Sequence, residues 1–174
     1  MRGIFPKITA LTAALTLVVL GATSCNTQGC TENRSSIPLA TFAGSADGRA
    51  ISLDSLQIHG VGAPGDSILY PAGERLSKAY LPMRNTHEQS VWCFSYKWKV
   101  LDNPANNDTL TIDYTSQPFL AGDECGAMYR YTITAVRHTS HIIDSVKVVQ
   151  PYVTNIGEPN LTIYLRTEGG GEEL

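Results

Sequence analysis

The fold is decided by residues 92–100, which read Trp92-Cys93-Phe94-Ser95-Tyr96-Lys97-Trp98-Lys99-Val100. Every even-numbered position in this stretch carries a large apolar side chain, whereas positions 95, 97 and 99 are polar. Successive side chains of a β-strand point to opposite faces of the sheet. The alternation therefore predicts a strand with one face buried and the other in water.

A second alternating run follows this strand. Its apolar side chains are Leu110, Ile112 and Tyr114, and the connection 102–108 is rich in Asn, Asp and Pro. Such residues favour turns, so the two runs predict a β-hairpin. Six further runs of β-branched and aromatic residues are separated by breaks that contain Gly, Pro or Asn: 37–42, 50–59, 67–70, 127–138, 142–149 and 160–166.

The whole pattern is that of an all-β chain. After residue 24 no window shows a sustained helical stripe, and only segment 73–80 has room for a turn or two of helix. Within 50–59 the apolar positions change from odd to even, which predicts a β-bulge near Asp54-Ser55. About eight strands in roughly 130 residues are typical of a two-sheet antiparallel β-sandwich, immunoglobulin-like or related. A small β-barrel is the alternative.

The first 24 residues have the features of an export signal. Two basic residues, Arg2 and Lys7, flank the start of an apolar stretch, 8–20, that is shorter than the about 20 residues needed to span a bilayer. The next residues, Gly21-Ala22-Thr23-Ser24-Cys25, resemble the lipobox of bacterial lipoproteins, although Ala22 stands where Leu or Val is usual. The resemblance implies cleavage before Cys25 and acylation of Cys25 as a lipid anchor. The alternative is a soluble secreted protein cut after Ser24.

These features divide the chain into four parts. We assign residues 1–24 to a lipoprotein signal peptide, 25–35 to a lipidated tether, 36–166 to the β-sandwich domain and 167–174 to a disordered tail. The tail contains three consecutive glycines and a single apolar residue, Leu174. So few apolar side chains cannot build a core.

The exported part is mildly acidic. Arg2 and Lys7 belong to the leader, so 11 of the 13 basic residues remain against 16 Asp and Glu, a net charge of −5. No run of Lys or Arg occurs, which argues against a nucleic-acid partner. Residues 26–30 contain neither an Asp, which would suggest inner-membrane retention, nor the acidic run that resembles a surface-export signal. We expect a cell-envelope protein on the outer membrane, with a periplasm-facing position favoured over a surface-exposed one.

Three cysteines remain besides Cys25, namely Cys30, Cys93 and Cys125. In an oxidising compartment they allow at most one intramolecular disulfide. Cys93 lies in a strand, whereas Cys125 lies in a turn-like segment whose backbone can adapt to disulfide geometry. We prefer a Cys30–Cys125 bridge, with the other two pairings and three unpaired thiols left open.

Residues that carry chemistry are sparse. His138 and His141, with Asp144 as a third donor, are the nearest approach to a metal site, but histidines in an exposed turn are mostly solvated. The chain has no Gly-x-Ser-x-Gly motif and no spacing that implies a catalytic triad. We therefore expect no catalytic residue, no metal, no cofactor and no enzymatic activity.

One tripeptide, Asp followed by Ser or Thr and an aliphatic residue, occurs at 54–56, 66–68, 108–110 and 144–146. It resembles the O-glycosylation motif of Bacteroidota, and the resemblance implies Ser55, Ser67, Thr109 and Ser145 as acceptors. The same tripeptide is also common where a turn leads into a strand. Both interpretations stay open.

The lipobox, Cys30 and several short motifs together resemble a family of Bacteroidota lipoproteins, domain of unknown function 6452. The motifs are Leu53-Asp54-Ser55-Leu56, Gly60-Val61-Gly62, Asp66-Ser67, Tyr80-Leu81-Pro82-Met83, Asp108-Thr109-Leu110-Thr111-Ile112 and Cys125-Gly126. The resemblance covers most of residues 25–166 and implies an exported, β-rich lipoprotein. It supports Cys30 and Cys125 as family cysteines, implies no catalytic residue and leaves Cys93 unexplained.

Two functions remain. The first is a tethered, non-catalytic binding or structural module that contacts an unknown envelope protein or glycan through loops 60–66, 102–108 or 152–159, whose Gly, Pro and Asn residues allow varied shapes. The second is a carbohydrate-binding or glycan-processing accessory. In that case sugar rings would stack on exposed aromatic residues, for which the candidates are Trp92, Tyr96, Trp98 and Tyr129. Burial of Tyr96 and Trp98 would remove this platform.

Overall fold

The computed structural model describes residues 36–120, 127–154 and 157–166. These residues form ten β-strands: β1 (Leu39–Gly44), β2 (Leu56–Gly60), β3 (Ile68–Tyr70), β4 (Lys78–Tyr80), β5 (Gln89–Tyr96), β6 (Asp108–Leu120), β7 (Ala127–His138), β8 (Ile143–Val148), β9 (Tyr152–Val153) and β10 (Leu161–Leu165). Two short 3₁₀ turns, Pro64–Asp66 and Pro104–Asn106, lie in the connections. In this part of the chain no helix is long and apolar enough to cross a membrane.

The strands form two sheets. The order in the first is β4-β1-β10-β8, and in the second it is β3-β2-β5-β6-β7-β9. All neighbours pair antiparallel except β1 and β10, which are parallel. Over the described ranges neither sheet closes on itself, so the predicted β-sandwich is confirmed and the small barrel is excluded.

The predicted hairpin is β5 and β6, paired from Gln89–Asp113 to Phe94–Asp108. Its inner face is buried at Trp92, Phe94 and Tyr96, as the alternation predicts. The strand ends at Tyr96, however, and the prediction of a continuous buried face to residue 100 is wrong. The backbone N–H groups of Leu101 and Asp102 both donate to the carbonyl of Trp98, at 2.8 and 2.7 Å, and this turn carries the Trp98 side chain out of the sheet.

The change of alternation within 50–59 marks a crossing between sheets and not the predicted bulge. Ala50 forms an isolated β-bridge with Ala43 of β1, which belongs to the first sheet. Leu56, in contrast, begins β2 of the second sheet. The chain bends at residues 54–55 between them. Leu53 and Leu56 both face the common core, so the apolar phase is reset when the chain changes sheets.

The segment 73–80 is not helical. It contains β4, which pairs with β1 from Leu39–Tyr80 to Thr41–Lys78. The core between the sheets contains Phe42, Phe94 and Tyr114, each with at most 1% of its surface exposed. Full burial of such side chains contributes roughly 1.5–3 kcal/mol each.

The two ends of the sandwich are distinguished by buried polar side chains. At one end, where β1 and β10 begin, the Asn160 side chain accepts from Leu39 N and donates to the carbonyls of Gln150 and Tyr152. We call this the Asn160 end. At the other, where β5 and β10 end and β6 begins, the chain turns through Trp98; we call it the Trp98 end.

Candidate functional site

A small apolar pocket opens at the Trp98 end. Its cavity volume is about 20 Å³, which is room for about one water molecule. Both sheets and their connections contribute to its walls, which are formed by Leu53, Leu56, Tyr96, Leu101, Ile142 and Leu165. Trp98 and Ser55 complete the lining. The polar side-chain groups of the lining are the Ser55 hydroxyl, the Tyr96 hydroxyl and the Trp98 indole N–H.

Trp98 is exposed beside this pocket. Its side chain keeps 44% of its surface in contact with solvent, and Val100 in the same turn keeps 82%. Three ion pairs each contain a charged residue that is next to a lining residue in the sequence: Lys97–Asp102 at 3.1 Å, Arg166–Asp144 at 3.4 Å and Arg75–Asp54 at 3.5 Å. An apolar centre with an aromatic side chain and a charged rim is typical of protein-binding surfaces.

The buried carboxylate of Asp108 holds this end of the sandwich together. Asp108 is 0% exposed and begins β6. Its Oδ1 accepts hydrogen bonds from Thr139 Oγ1 at 2.7 Å and His141 N at 2.8 Å. Its Oδ2 accepts from Ile142 N at 2.7 Å, Ile143 N at 2.8 Å and the Tyr96 hydroxyl at 3.1 Å.

These five donors determine the protonation state of the site. Burial raises the pKa of Asp108, but the hydrogen bonds from Thr139 and from three backbone N–H groups outweigh it and bring the pKa below its ordinary value. Burial, followed by the neighbouring Asp108 charge, raises the pKa of Tyr96. At neutral pH the pair is therefore a carboxylate and a neutral phenol that donates to it.

The hydrogen bonds also position two walls of the pocket. Tyr96 is held through its hydroxyl, and Ile142 through its backbone N–H, by the same carboxylate oxygen. Asp108 thus fixes the 139–143 connection, which carries the chain from β7 in one sheet to β8 in the other. Without it, the two buried donors, the Tyr96 hydroxyl and Ile143 N, would lose their acceptor.

The four aromatic candidates do not lie on one surface. Trp92 and Tyr96 are buried at 8% and 5% exposure, and Tyr129 is half-buried against the core. Only Trp98 of these four has an exposed aromatic face. Of the four candidates, Trp98 alone could therefore stack on a sugar ring, and they do not form a platform of several aromatic residues.

The three predicted contact loops do not all lie at one end of the sandwich. Loop 102–108 contains the 3₁₀ turn Pro104–Asn106 and lies at the Trp98 end. Loop 60–66 follows β2 at the other end, because Gly60 pairs with Trp92 and Leu56 with Tyr96. Segment 152–159 begins with an edge strand, β9, whose Tyr152 carbonyl accepts from Asn160.

The four glycosylation candidates differ in accessibility. Ser67 and Ser145 are exposed, whereas Ser55 and Thr109 are half-buried. Thr109 lies inside β6, and its backbone N–H donates to Thr139 Oγ1. The acidic residue of its tripeptide is Asp108, which has the structural role described above.

Several sequence predictions lie outside the described residues. They concern the signal peptide, the Cys25 anchor, the tether, the Cys30–Cys125 bridge and the tail. Cys93 is a free, half-buried thiol. His138 is half-buried with its Nδ1 at 2.8 Å from the Thr139 carbonyl, and the exposed His141 uses its backbone N–H on Asp108. Over residues 36–120, 127–154 and 157–166, no three or more His, Cys, Asp or Glu side chains are grouped to hold a metal.

Comparison with known proteins gives one match. Residues 55–165, which run from the end of the sheet crossing to the last residue of β10, match the model of a family of unknown function, DUF6452. No curated protein and no solved structure matches the chain.

Replacing Asp108 tests its structural role. We expect Asp108→Ala to lower the free energy of unfolding by on the order of 3–5 kcal/mol, because several buried donors lose their acceptor. The exposed Asp144, paired with Arg166, is the matched control, and Asp144→Ala should cost less than about 1 kcal/mol. Denaturant unfolding measures both, and equal losses would contradict the assignment.

Asp108 also predicts an acid-sensitive stability. A carboxylate whose pKa is lowered by folding adds stability that is complete above its unfolded pKa, about 3.9, and is lost as pH falls through the folded value. Asp108→Asn does not titrate, so the difference in unfolding free energy between wild type and variant should be constant near neutral pH. Below about pH 4 it should shrink. Denaturant unfolding at a series of pH values measures this difference, and one that is independent of pH would count against the mechanism.

Proposed function

The chain belongs to the family of unknown function DUF6452, which assigns it no activity. We propose a role from two features of its own residues, the Cys25 lipobox and the apolar pocket beside Trp98, called the Trp98 pocket below. The protein is an exported Bacteroidota lipoprotein of the cell envelope, anchored in the outer membrane through Cys25 and facing the periplasm. Its β-sandwich is a non-catalytic module that binds an envelope protein through the Trp98 pocket. The observation that carries the binding role is the exposed Trp98 beside an apolar pocket.

The anchor rests on the sequence. The basic start, the short apolar stretch 8–20 and the small residues before Cys25 have the order of a lipoprotein leader. One acyl chain binds a bilayer only marginally, so stable anchoring requires more than one. A cysteine that carries two or three chains meets that requirement.

The binding role rests on the energetics of the pocket. Aromatic residues in apolar surroundings, ringed by groups that exclude water, contribute most of the affinity in many protein complexes. Trp98 fits this description, because its neighbours are apolar and the nearby charges Lys97 and Asp102 already pair with each other. An apolar side chain of the partner would cover the exposed Trp98 ring and the mouth of the pocket, and it would displace water there without breaking those ion pairs.

The polar groups next to the pocket favour binding over catalysis. A general base needs a free lone pair within reach of the substrate proton. Both oxygens of Asp108 are occupied by donors, and the Tyr96 hydroxyl donates to one of them. These two groups therefore stabilise the fold and have no capacity left for acid–base work.

A glycan ligand is the second candidate, and the exposure of Trp98 is the observation that favours it. A sugar ring can stack on an exposed indole, but orientation and specificity need polar groups that converge on the ligand. Around this pocket Lys97, Asp102 and Arg166 are engaged in ion pairs. A protein partner therefore fits the site better.

The anchor is tested by metabolic labelling. In the native cells, labelled fatty acid should enter the wild-type chain, and Cys25→Ser should abolish both labelling and membrane retention. Cys93→Ser is the matched control and should label like wild type. Labelling of the Cys25→Ser variant, or none of the wild type, would contradict the anchor.

The binding site is tested by placing a photo-crosslinking amino acid at Trp98 in the native cells. We expect a discrete protein adduct, and none from the same probe at the exposed Tyr152, which lies outside the pocket. Trp98→Ala should reduce co-purification of that protein at least about tenfold, which corresponds to about 1.4 kcal/mol. Unfolding free energy should change little, because the side chain is already half in water.

The outcomes of this experiment separate the candidates. A polysaccharide adduct that is sensitive to glycosidases would support the glycan alternative over the protein partner. Undiminished co-purification with Trp98→Ala, or equal adducts from both positions, would contradict a role for the pocket.

A further inference from the structure

A thiol and an imidazole lie side by side on the outer face of the second sheet, away from the Trp98 pocket. The strand register pairs His59 of β2 with Cys93 of β5. Their neighbours Ile58, Trp92 and Phe94 face the core. Because side chains alternate along a strand, His59 and Cys93 share the opposite face.

The hydrogen-bond pattern gives the spacing of this pair. On one side Val61 N donates to Val91 O, and on the other Lys97 N donates to Ser55 O. These bonds make Val61–Val91 and Ser55–Lys97 hydrogen-bonded pairs. In an antiparallel ladder every second residue pair is hydrogen-bonded, so His59 and Cys93 also form such a pair, with Cα atoms about 5.5 Å apart. Directly opposite side chains on one face of such a pair interact.

Each side chain has unused capacity. His59 Nδ1 is buried and has no hydrogen-bond partner within the described part of the chain, which is unusual for a buried polar atom. Cys93 is a free thiol whose Sγ lies 3.7 Å from the Ser95 hydroxyl oxygen. The structure therefore presents an orphaned nitrogen and a free sulfur as cross-strand neighbours.

From this arrangement we propose that His59 and Cys93 form a two-donor site for a soft monovalent cation, Cu(I). A thiolate and an imidazole are ligands that copper prefers. A linear sulfur–metal–nitrogen unit is roughly 4 Å long if the bonds are like those of zinc, which suits a directly opposed pair. Zinc itself requires about four ligands, and the described residues offer no group of three or more.

Binding involves no change of oxidation state. The Sγ–H bond of Cys93 breaks, its proton leaves to solvent, and the sulfur lone pair forms the bond to Cu(I). A ring nitrogen of His59 donates its lone pair to the same ion. The copper enters and remains monovalent.

The test is an anaerobic titration of the reduced full chain with Cu(I), in competition with a chromophoric Cu(I) chelator. Cys25, Cys30 and Cys125 also carry thiols, so the comparison is between variants of the same chain. Cys93→Ser should bind one equivalent fewer than wild type. His59→Gln should weaken that equivalent at least about tenfold. His87→Gln, which changes an exposed histidine elsewhere, should leave it unchanged.

A second measurement identifies the donors directly. In a chain with Cys25, Cys30 and Cys125 changed to Ser, Cys93 is the single thiol, and copper X-ray absorption should show one sulfur and one nitrogen ligand. Circular dichroism and thermal unfolding confirm that each variant is folded, with Cys93→Ala as the substitute if Cys93→Ser is not. Equal stoichiometry for wild type and the folded Cys93 variant would overturn the proposal, as would equal affinity for wild type and His59→Gln.

Discussion

The structure depends on one buried anion. Among the described residues no cationic side chain pairs with Asp108, and five hydrogen bonds balance its charge. An isolated carboxylate is very costly to bury, so these donors are a condition of the fold. In return the carboxylate accepts hydrogen bonds from the backbone N–H groups of His141, Ile142 and Ile143, of which that of Ile143 is buried. The link between the two sheets and two walls of the Trp98 pocket follow from this single side chain.

The strands were largely predictable because burial of one sheet face imposes a period of two on the sequence. The predicted run 127–138 coincides with β7, and the predicted hairpin is β5 and β6, although β5 ends at Tyr96 and not at residue 100. The alternation of apolar and polar residues indicates which side chains are buried, however, and does not indicate which of the two sheets a strand joins. For that reason the change of phase at Asp54-Ser55 predicts a bulge, although the chain passes there from one sheet to the other. Strands as short as β4 and β9 are held by their neighbours and leave almost no periodic signal.

The candidate site was predictable only in part, since its residues come from positions as distant as Leu53 and Leu165. The sequence indicates Trp98 as a candidate, but its exposure depends on where β5 ends, and two backbone hydrogen bonds to the Trp98 carbonyl set that point. The Asp108 tripeptide was noticed for a different reason, and nothing in an Asp-Thr-Leu sequence shows that its carboxylate will meet residues more than 30 positions later. The pairing of His59 with Cys93 is likewise a matter of register, which a single sequence does not display.

The parallel pairing of β1 and β10 has a mechanical consequence. The ladder joins residues 40–44 to 161–165, so the chain enters β1 at the Asn160 end and leaves β10 at the Trp98 end. A force applied between those two points acts along the β1–β10 ladder and loads all of its hydrogen bonds in shear together. A force applied across one strand end would instead break them one after another. With the proposed N-terminal tether, tension transmitted through residue 166 would therefore load this ladder in shear.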